Sequence, residues 1–152
     1  MSFNGGYIHF EDGWGTAGTM DINRRIIASA NFSGCAYKIY RTAPATYKCV
    51  HIARPSGVNA DALVASVAAH ATANGWTELQ AVTTAGLITG TTKEIFIVSQ
   101  LFLNTRIDTV RLKINNQASS SAAISTPAPP DRHLSSERSE GSSSLDPSLR
   151  SG

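Results

Sequence analysis

Short apolar runs separated by turn residues mark the first thirty positions of the chain. Residues 5–10 and 25–30 contain clustered Ile and aromatic side chains, and each run predicts a short β-strand. Residues 12–18 lie between them and contain three glycines, a composition that predicts turns.

Two longer runs follow, over residues 34–40 and 47–53, and both are rich in Tyr, Ile and Val. Pro44 stands in the polar stretch between them, where a turn is expected. The pattern predicts a β-hairpin. Both cysteines of the chain and one of its four histidines lie on this hairpin.

The period changes to a helical one between residues 59 and 74. Apolar side chains recur there at Leu63, Val64, Val67, Ala68 and Ala71. Asn59 is suited to the N-cap position, and Gly75 stands just past the expected end. We therefore expect a helix that packs its Leu63, Val64 and Val67 face on a sheet.

Three further β-branched segments predict strands, over residues 77–82, 95–103 and 106–114. The last two can form a hairpin through Asn104 and Thr105. The sequence thus predicts an α+β domain that is mostly antiparallel sheet or sandwich, with one main helix packed against it.

Composition changes after Gln117. Residues 118–152 contain twelve Ser and four Pro and almost no large apolar side chains. Such a segment has too little apolar surface to build a core. We expect one folded domain over residues 1–117 and a disordered Ser/Pro-rich tail over residues 118–152.

Charge and hydropathy exclude several classes of partner. The net charge is only +2 and the basic residues are scattered, which argues against a nucleic-acid partner. No run approaches the roughly 20 consecutive apolar residues needed to span a bilayer. The first residues lack the pattern of a secretory signal. We expect a soluble monomer without a membrane partner.

The hairpin brings a cysteine and a histidine together. If it closes through a five-residue loop, Cys35 lies directly opposite His51, with Cβ atoms about 5 Å apart. The thiolate is the nucleophilic form of cysteine, and an ion pair with a histidine imidazolium would supply it. Gly34 would let a substrate carbonyl approach the backbone, where an N–H group could stabilise an oxyanion. We expect this site to open to solvent at one edge of the domain.

The residues around this pair resemble a known motif. Phe32-Ser33-Gly34-Cys35, followed by a hairpin and Val50-His51-Ile52, is similar to the Ser-Gly-Cys … His signature of the cytotoxic necrotizing factor catalytic domain and of Burkholderia lethal factor. The resemblance extends more distantly to the chemotaxis receptor deamidases and covers about twenty residues. Members of this group hydrolyse the side-chain amide of a particular protein glutamine to glutamate.

The resemblance implies a bacterial toxin or effector domain, a protein-glutamine deamidase. Cys35 would be the nucleophile, His51 its base, and Ser29, six positions before the cysteine, the residue that orients the ring. Gly34 and Ser33 would line the substrate and oxyanion side. Neither a metal nor a cofactor is implied.

The implied partner is a host protein that bears the target glutamine, such as a small GTPase or a translation factor. The chain would then be a secreted bacterial effector that acts in the host cytoplasm, without a visible signal peptide.

Three alternatives remain open at the level of sequence. A shifted register would place Cys35 opposite Cys49 as a disulfide. The same pair could serve a cysteine protease or a transglutaminase-like acyl transferase, because an amine can intercept the same thioester. Finally, the hairpin could belong to a non-enzymatic protein-binding module with a structural Cys35–Cys49 pair.

Overall fold

The computed structural model describes residues 5–55, 59–87, 92–115 and 119–127. Over these ranges the chain forms nine strands and one helix. In chain order they are β1 (Gly5–Ile8), β2 (Gly15–Met20), β3 (Ile26–Ser29), β4 (Ala36–Ala43), β5 (Thr46–Ile52), α1 (Ala62–Ala73), β6 (Thr77–Thr83), β7 (Thr92–Leu101), β8 (Ile107–Asn115) and β9 (Ser119–Thr126).

The strands are divided between two sheets. The larger sheet has the order β1-β3-β7-β8-β9, and the smaller has the order β2-β5-β4-β6. In the described part of the chain only β1 and β3 pair in parallel, and every other pair is antiparallel. The predicted α+β class, mostly antiparallel sheet with one main helix, is confirmed.

The molecule has three layers, with α1 on the outer face of the smaller sheet and the larger sheet against its inner face. Successive side chains of a strand point to opposite faces, so β4 and β5 contribute to both interfaces. The inner core takes Tyr37, Ile39 and Cys49, whereas Tyr40 and Val50 face the helix. Leu63, Val64 and Val67 of α1 pack on this outer cluster. The predicted apolar face of the helix is confirmed.

Helix α1 begins at Ala62 rather than after the expected N-cap, Asn59. Its N-cap is Asp61, whose side chain makes no capping hydrogen bond. That carboxylate instead accepts a hydrogen bond from Arg54 Nε at 2.7 Å. The start of the helix is therefore joined to Arg54, two residues past the end of β5.

The C-terminus of α1 follows the expected pattern. The N–H of Trp76 donates to the carbonyl of Ala71 at 2.9 Å, and that of Gly75 donates to Thr72 at 3.1 Å. These two bonds form a Schellman motif, with Gly75 in the left-handed conformation at φ 72°. The predicted end of the helix is confirmed.

Strands β4 and β5 form the predicted hairpin in a different register. The turn between them contains only Pro44 and Ala45, with Ala45 at φ 52°. The shorter loop pairs Ala43 with Thr46, and an irregularity between Arg41 and Ala43 moves the register back by one residue. The net shift from the expected pairing is two residues, so His51 lies opposite Tyr37. Because side chains alternate with a period of two, Cys35 and His51 remain on the same face. They are diagonal neighbours instead of direct ones.

Strand β2 occupies residues for which turns were predicted. It pairs with β5 along its whole length. A Cβ atom added at Gly18 would lie 3.2 Å from side-chain atoms of both Ile8 and Ile27. The glycine permits the close approach of the other sheet here and does not mark a turn.

Strand β9 lies in the segment predicted to be a disordered tail. It pairs with β8 over eight positions, so the domain extends past the predicted boundary at residue 117. The Gln80 side-chain amide donates to Thr126 Oγ1 at 2.7 Å and to the Ile107 carbonyl at 3.1 Å, which ties β9 to the smaller sheet. The prediction of disorder is wrong for β9, and residues 128–152 lie outside the described residues.

A chain of buried polar groups crosses the core between the sheets. Thr109 Oγ1 donates to Gln80 Oε1. Ser99 Oγ lies 2.8 Å from Thr109 Oγ1 and 2.7 Å from Tyr37 OH. Since Thr109 uses its proton on Gln80, Ser99 donates to Thr109 and Tyr37 donates to Ser99. Satisfied polar contacts of this kind specify how the two sheets are aligned.

Candidate active site

The side chains of Ser29 and His51 meet between the two sheets. Ser29 ends β3 in the larger sheet, and His51 lies in β5 of the smaller one. Ser29 Oγ is 2.8 Å from His51 Nδ1 and donates to the Ile8 carbonyl at 2.7 Å. Its single proton is thus used, so it accepts the hydrogen bond from a protonated Nδ1. The other ring nitrogen, Nε2, is left with a free lone pair.

Two aromatic rings fix the orientation of His51. The Phe32 ring stacks on the imidazole with centroids 3.8 Å apart and an interplanar angle of 8°. The Phe10 ring lies 5.3 Å away at a tilt of 47°. With 1% of its surface exposed, His51 has little freedom to turn away from Ser29.

Burial lowers the pKa of His51 to about 4, because the surroundings disfavour the charged ring. The imidazole is therefore neutral near pH 7, and the predicted imidazolium–thiolate ion pair is wrong. Nε2 is buried and has no hydrogen-bond partner among the described residues. A neutral ring with a free Nε2 is suited to accept a proton.

Cys35 immediately precedes β4 and belongs to the inner core. It stands one position beyond the Ala36–Ile52 pair, on the same face as His51. Diagonal neighbours in a regular ladder have Cβ atoms about 7 Å apart. The predicted direct opposition is therefore wrong, and no hydrogen bond joins the thiol to His51 in the described part of the chain. The expected opening to solvent is also wrong, since only 6% of Cys35 is exposed.

The turn before Cys35 is fixed by one buried residue, Thr84. Gly34 has a φ of 119°, a conformation that favours glycine. Its N–H donates to Thr84 Oγ1 at 2.8 Å. Thr84 in turn donates to the Cys35 carbonyl from Oγ1 at 3.0 Å and from its own N–H at 3.2 Å. Three hydrogen bonds with the hydroxyl and the backbone N–H of Thr84 thus fix the backbone conformation at Gly34 and Cys35.

The structure places both residues expected on the oxyanion side, Gly34 and Ser33, on the turn before Cys35. The Gly34 N–H already bonds Thr84, so the oxyanion donor expected near Gly34 would have to be another backbone N–H. Ser33 is exposed on the same turn. Among the residues that the structure describes, the Cys35 N–H has no hydrogen-bond partner.

Arg54, just after β5, connects the Cys35 turn to the start of α1. Its Nη1 donates to the Gly34 carbonyl at 2.8 Å, and its Nε donates to Asp61 Oδ1 at 2.7 Å. The hydrogen bond to Asp61 raises the pKa of Arg54, with a smaller contribution from the charge of Cys35. The same contact lowers the pKa of Asp61. An open cavity of about 250 Å³ adjoins this pair on the helix side of the sheet.

Cys49 does not join the site. It pairs with Ile39 across the hairpin, and both cysteines are free thiols, so the alternative of a Cys35–Cys49 disulfide is wrong. Cys49 is fully buried, and burial raises its pKa to about 12. It is therefore protonated and inaccessible near pH 7.

Sequence reasoning brought Cys35, His51 and Ser29 to one place but missed Thr84 and Arg54. Thr84 follows β6 and reaches the turn before Cys35 because β6 pairs with β4. No local sequence pattern indicates that pairing. Arg54 had a signal, a cation three positions after the candidate histidine at the end of a strand.

Comparison with protein-family models, curated proteins and solved structures finds no match for this chain. The described residues contain no group of three or more His, Cys, Asp or Glu side chains arranged to hold a metal ion. Over the same residues, no helix has the length and apolar character required to cross a membrane. Proposals about function depend on the geometry of the Cys35 region and on the motif around it.

Proposed function

We propose that this chain is a cysteine-dependent amidohydrolase that deamidates a glutamine side chain of another protein. The hydrogen bond between Ser29 and His51 is the observation that supports this most. It fixes the tautomer of the histidine and leaves a basic Nε2 on the sheet face that Cys35 shares. Ser29 is also the residue that the deamidase motif implies for this task.

In the first half-reaction the Cys35 sulfur attacks the carboxamide carbon while His51 Nε2 takes the thiol proton. The Cys35 N–H donates to the oxyanion that forms. His51 then transfers its proton to the amide nitrogen, the C–N bond breaks, and ammonia leaves. The product of this step is a thioester between Cys35 and the substrate side chain.

In the second half-reaction water attacks the thioester. His51 Nε2 takes a proton from the water, the C–S bond breaks, and the proton returns to the sulfur. Glutamate is released and the free thiol is restored. Ser29 keeps the ring in place throughout, because its hydroxyl donates to the Ile8 carbonyl and its oxygen accepts from the Nδ1–H of His51.

The proposed substrate is a host protein such as a small GTPase or a translation factor, and the chain would act on it as a bacterial effector in the host cytoplasm. A transglutaminase-like reaction follows if an amine replaces water in the second step. The mass of the product distinguishes the two outcomes.

The test is to incubate candidate small GTPases and translation factors with the protein and to map their peptides by mass spectrometry. We expect a gain of about one dalton at one glutamine, the mass difference between an amide and an acid. Cys35→Ser and His51→Gln should each abolish the gain, and the double variant should lose no more, because the two groups act as one unit. Cys49→Ala is the matched control and should retain activity.

The burial of Cys35 and His51 favours a second candidate, a non-enzymatic protein-binding module. In that case the Ser29–His51 bond serves only to satisfy polar groups between the sheets. A Cys35→Ser protein that folds and keeps its full biological effect would support the module and contradict the deamidase. An amine adduct at the glutamine, absent with Cys35→Ser, would instead indicate transglutamination.

A further inference from the structure

The cavity of about 250 Å³ lies on the helix face of the smaller sheet, opposite the face that forms the inner core. Its floor includes two directly opposed pairs of β4 and β6, Ala36–Thr83 and Lys38–Ala81. Three of these four side chains are small, and Val64 of α1 adds an apolar wall. The volume is below the roughly 300–1,000 Å³ of pockets that enclose drug-sized ligands, so the cavity suits a smaller molecule.

The charged side chains that line this cavity are two cations, Lys38 and Arg54, and one carboxylate, Asp61. The Lys38 and Arg54 side chains are only 14% and 20% exposed, whereas their partners Glu78 and Asp61 are 44% and 73% exposed. Water and salt therefore screen the two carboxylates more than the two cations. The potential inside the cavity is positive, although each cation has a partner at the surface.

Both cations keep donors for a further anion. Arg54 uses Nε on Asp61 and Nη1 on the Gly34 carbonyl, and among the described residues its Nη2 has no hydrogen-bond partner. Lys38 Nζ carries three N–H groups and gives one of them to Glu78. Charged N–H groups of these two kinds form strong hydrogen bonds with a carboxylate.

We propose that this cavity binds a small organic monocarboxylate, whose acid group is held by Arg54 and Lys38 and whose short aliphatic chain lies on Ala36, Ala81 and Val64. The small apolar floor favours such a molecule over a purely polar anion. The site lies on the other face of the sheet from the candidate active site, so the proposal does not rest on the proposed function.

The test is a titration of the full-length, isotope-labelled protein with butanoate, followed through the backbone amide signals by NMR. We expect saturable shifts centred on Ala36, Ala81 and Val64, with a dissociation constant in the millimolar range. Butanamide has the same shape without the charge and should bind about 3- to 10-fold more weakly. Inorganic phosphate has the charge without the aliphatic chain and should also bind more weakly.

Equal affinities for butanoate and butanamide would overturn the proposal, because the cations would then contribute nothing. Phosphate that binds as tightly as butanoate would reject the aliphatic part of the ligand. Shifts that do not saturate, or that centre on another part of the chain, would show that the cavity is not a binding site.

Substitutions of the two cations test their roles separately. Arg54→Gln and Lys38→Gln should each weaken butanoate binding about 3- to 10-fold, and Arg54→Lys should recover part of the loss. Arg41→Gln is the matched control, since it removes the same charge from an exposed position of β4 and should leave the affinity unchanged. The amide spectrum of each variant shows directly whether it is folded. Undiminished binding by both cavity variants, or an equal loss with Arg41→Gln, would contradict the assigned site.

Asp61→Asn tests the charge argument in the opposite direction. The carboxylate of Asp61 competes with the ligand for Arg54, so its removal should tighten butanoate binding. Weaker binding by a folded Asp61→Asn protein would show that the ion pair shapes the cavity and that the uncompensated cation does not attract the ligand. That outcome would overturn the proposal.

Discussion

At the scale of single residues, His51 links the candidate chemistry to the stability of the protein. Its pKa is about 4 in the folded state, against about 6.5 in an unfolded chain. As the pH falls below 6.5 the unfolded chain takes up a proton that the folded protein does not, so protonation favours unfolding. We expect the free energy of unfolding to be level with respect to this group above about pH 7 and to fall between pH 6.5 and 4.

Urea unfolding at a series of pH values measures this dependence, and a His51→Gln protein is the comparison. The variant should have a shallower fall between pH 6.5 and 4, because the buried ring is gone. Identical slopes for the two proteins would show that His51 is not the source of acid sensitivity.

Thr84 is the residue whose hydroxyl should matter most for the shape of the Cys35 turn. Thr84→Val keeps the volume but removes the partner of the Gly34 N–H and one of the two donors to the Cys35 carbonyl. An unsatisfied buried backbone group costs about 1–3 kcal/mol, so we expect a loss of this size in the free energy of unfolding. Thr84→Ser, which keeps the hydroxyl, should lose clearly less in the same denaturant titration.

The residues of the site divide into those that a sequence can reveal and those that it cannot. Cys35 and His51 lie within one hairpin, and the motif around them also implied Ser29. The contact of Thr84 with Gly34 spans fifty positions and depends on how β6 pairs with β4. The neutral state of His51 depends on burial between two sheets, which no local pattern specifies. Neither the Thr84–Gly34 contact nor the neutral state of His51 could be predicted from the sequence.

At the scale of elements, β9 is the strand whose removal distinguishes the predicted domain boundary from the observed one. A chain that ends at residue 117 loses the pairing with β8 and the bond from Gln80 to Thr126. We expect it to unfold at lower denaturant concentration than a chain that ends at residue 127, as followed by circular dichroism. Equal unfolding midpoints for the two truncated chains would instead support the predicted boundary at residue 117.

The successes and errors of the predicted elements have physical reasons. Helix α1 was found because its spacing and its Gly75 terminus are local signals. β2 was missed because Gly15 and Gly18 resemble turn residues, whereas Gly18 fits against the larger sheet. The predicted hairpin register was wrong by two for two reasons. Ala45 adopts a positive φ that allows a two-residue turn, and an irregularity between Arg41 and Ala43 then moves the pairing by one residue.

At the scale of the whole molecule, the two sheets are aligned by buried polar groups as well as by apolar contacts. The chain from Tyr37 through Ser99 and Thr109 to Gln80 joins strands of both sheets. The Ser29–His51 bond does the same at another point of the inner interface. The candidate site is thus a property of the packed sandwich and not of the hairpin alone.

Ser29 and His51 lie in different sheets, so the candidate site keeps its geometry only while the two sheets remain packed together. Each sheet keeps its own ladder of backbone hydrogen bonds when the sheets separate slightly, but the 2.8 Å contact between the two side chains does not survive such a separation. In a warming sample, the histidine would lose its orientation while the strand content was still intact. Heat inactivation would then precede the melting of secondary structure.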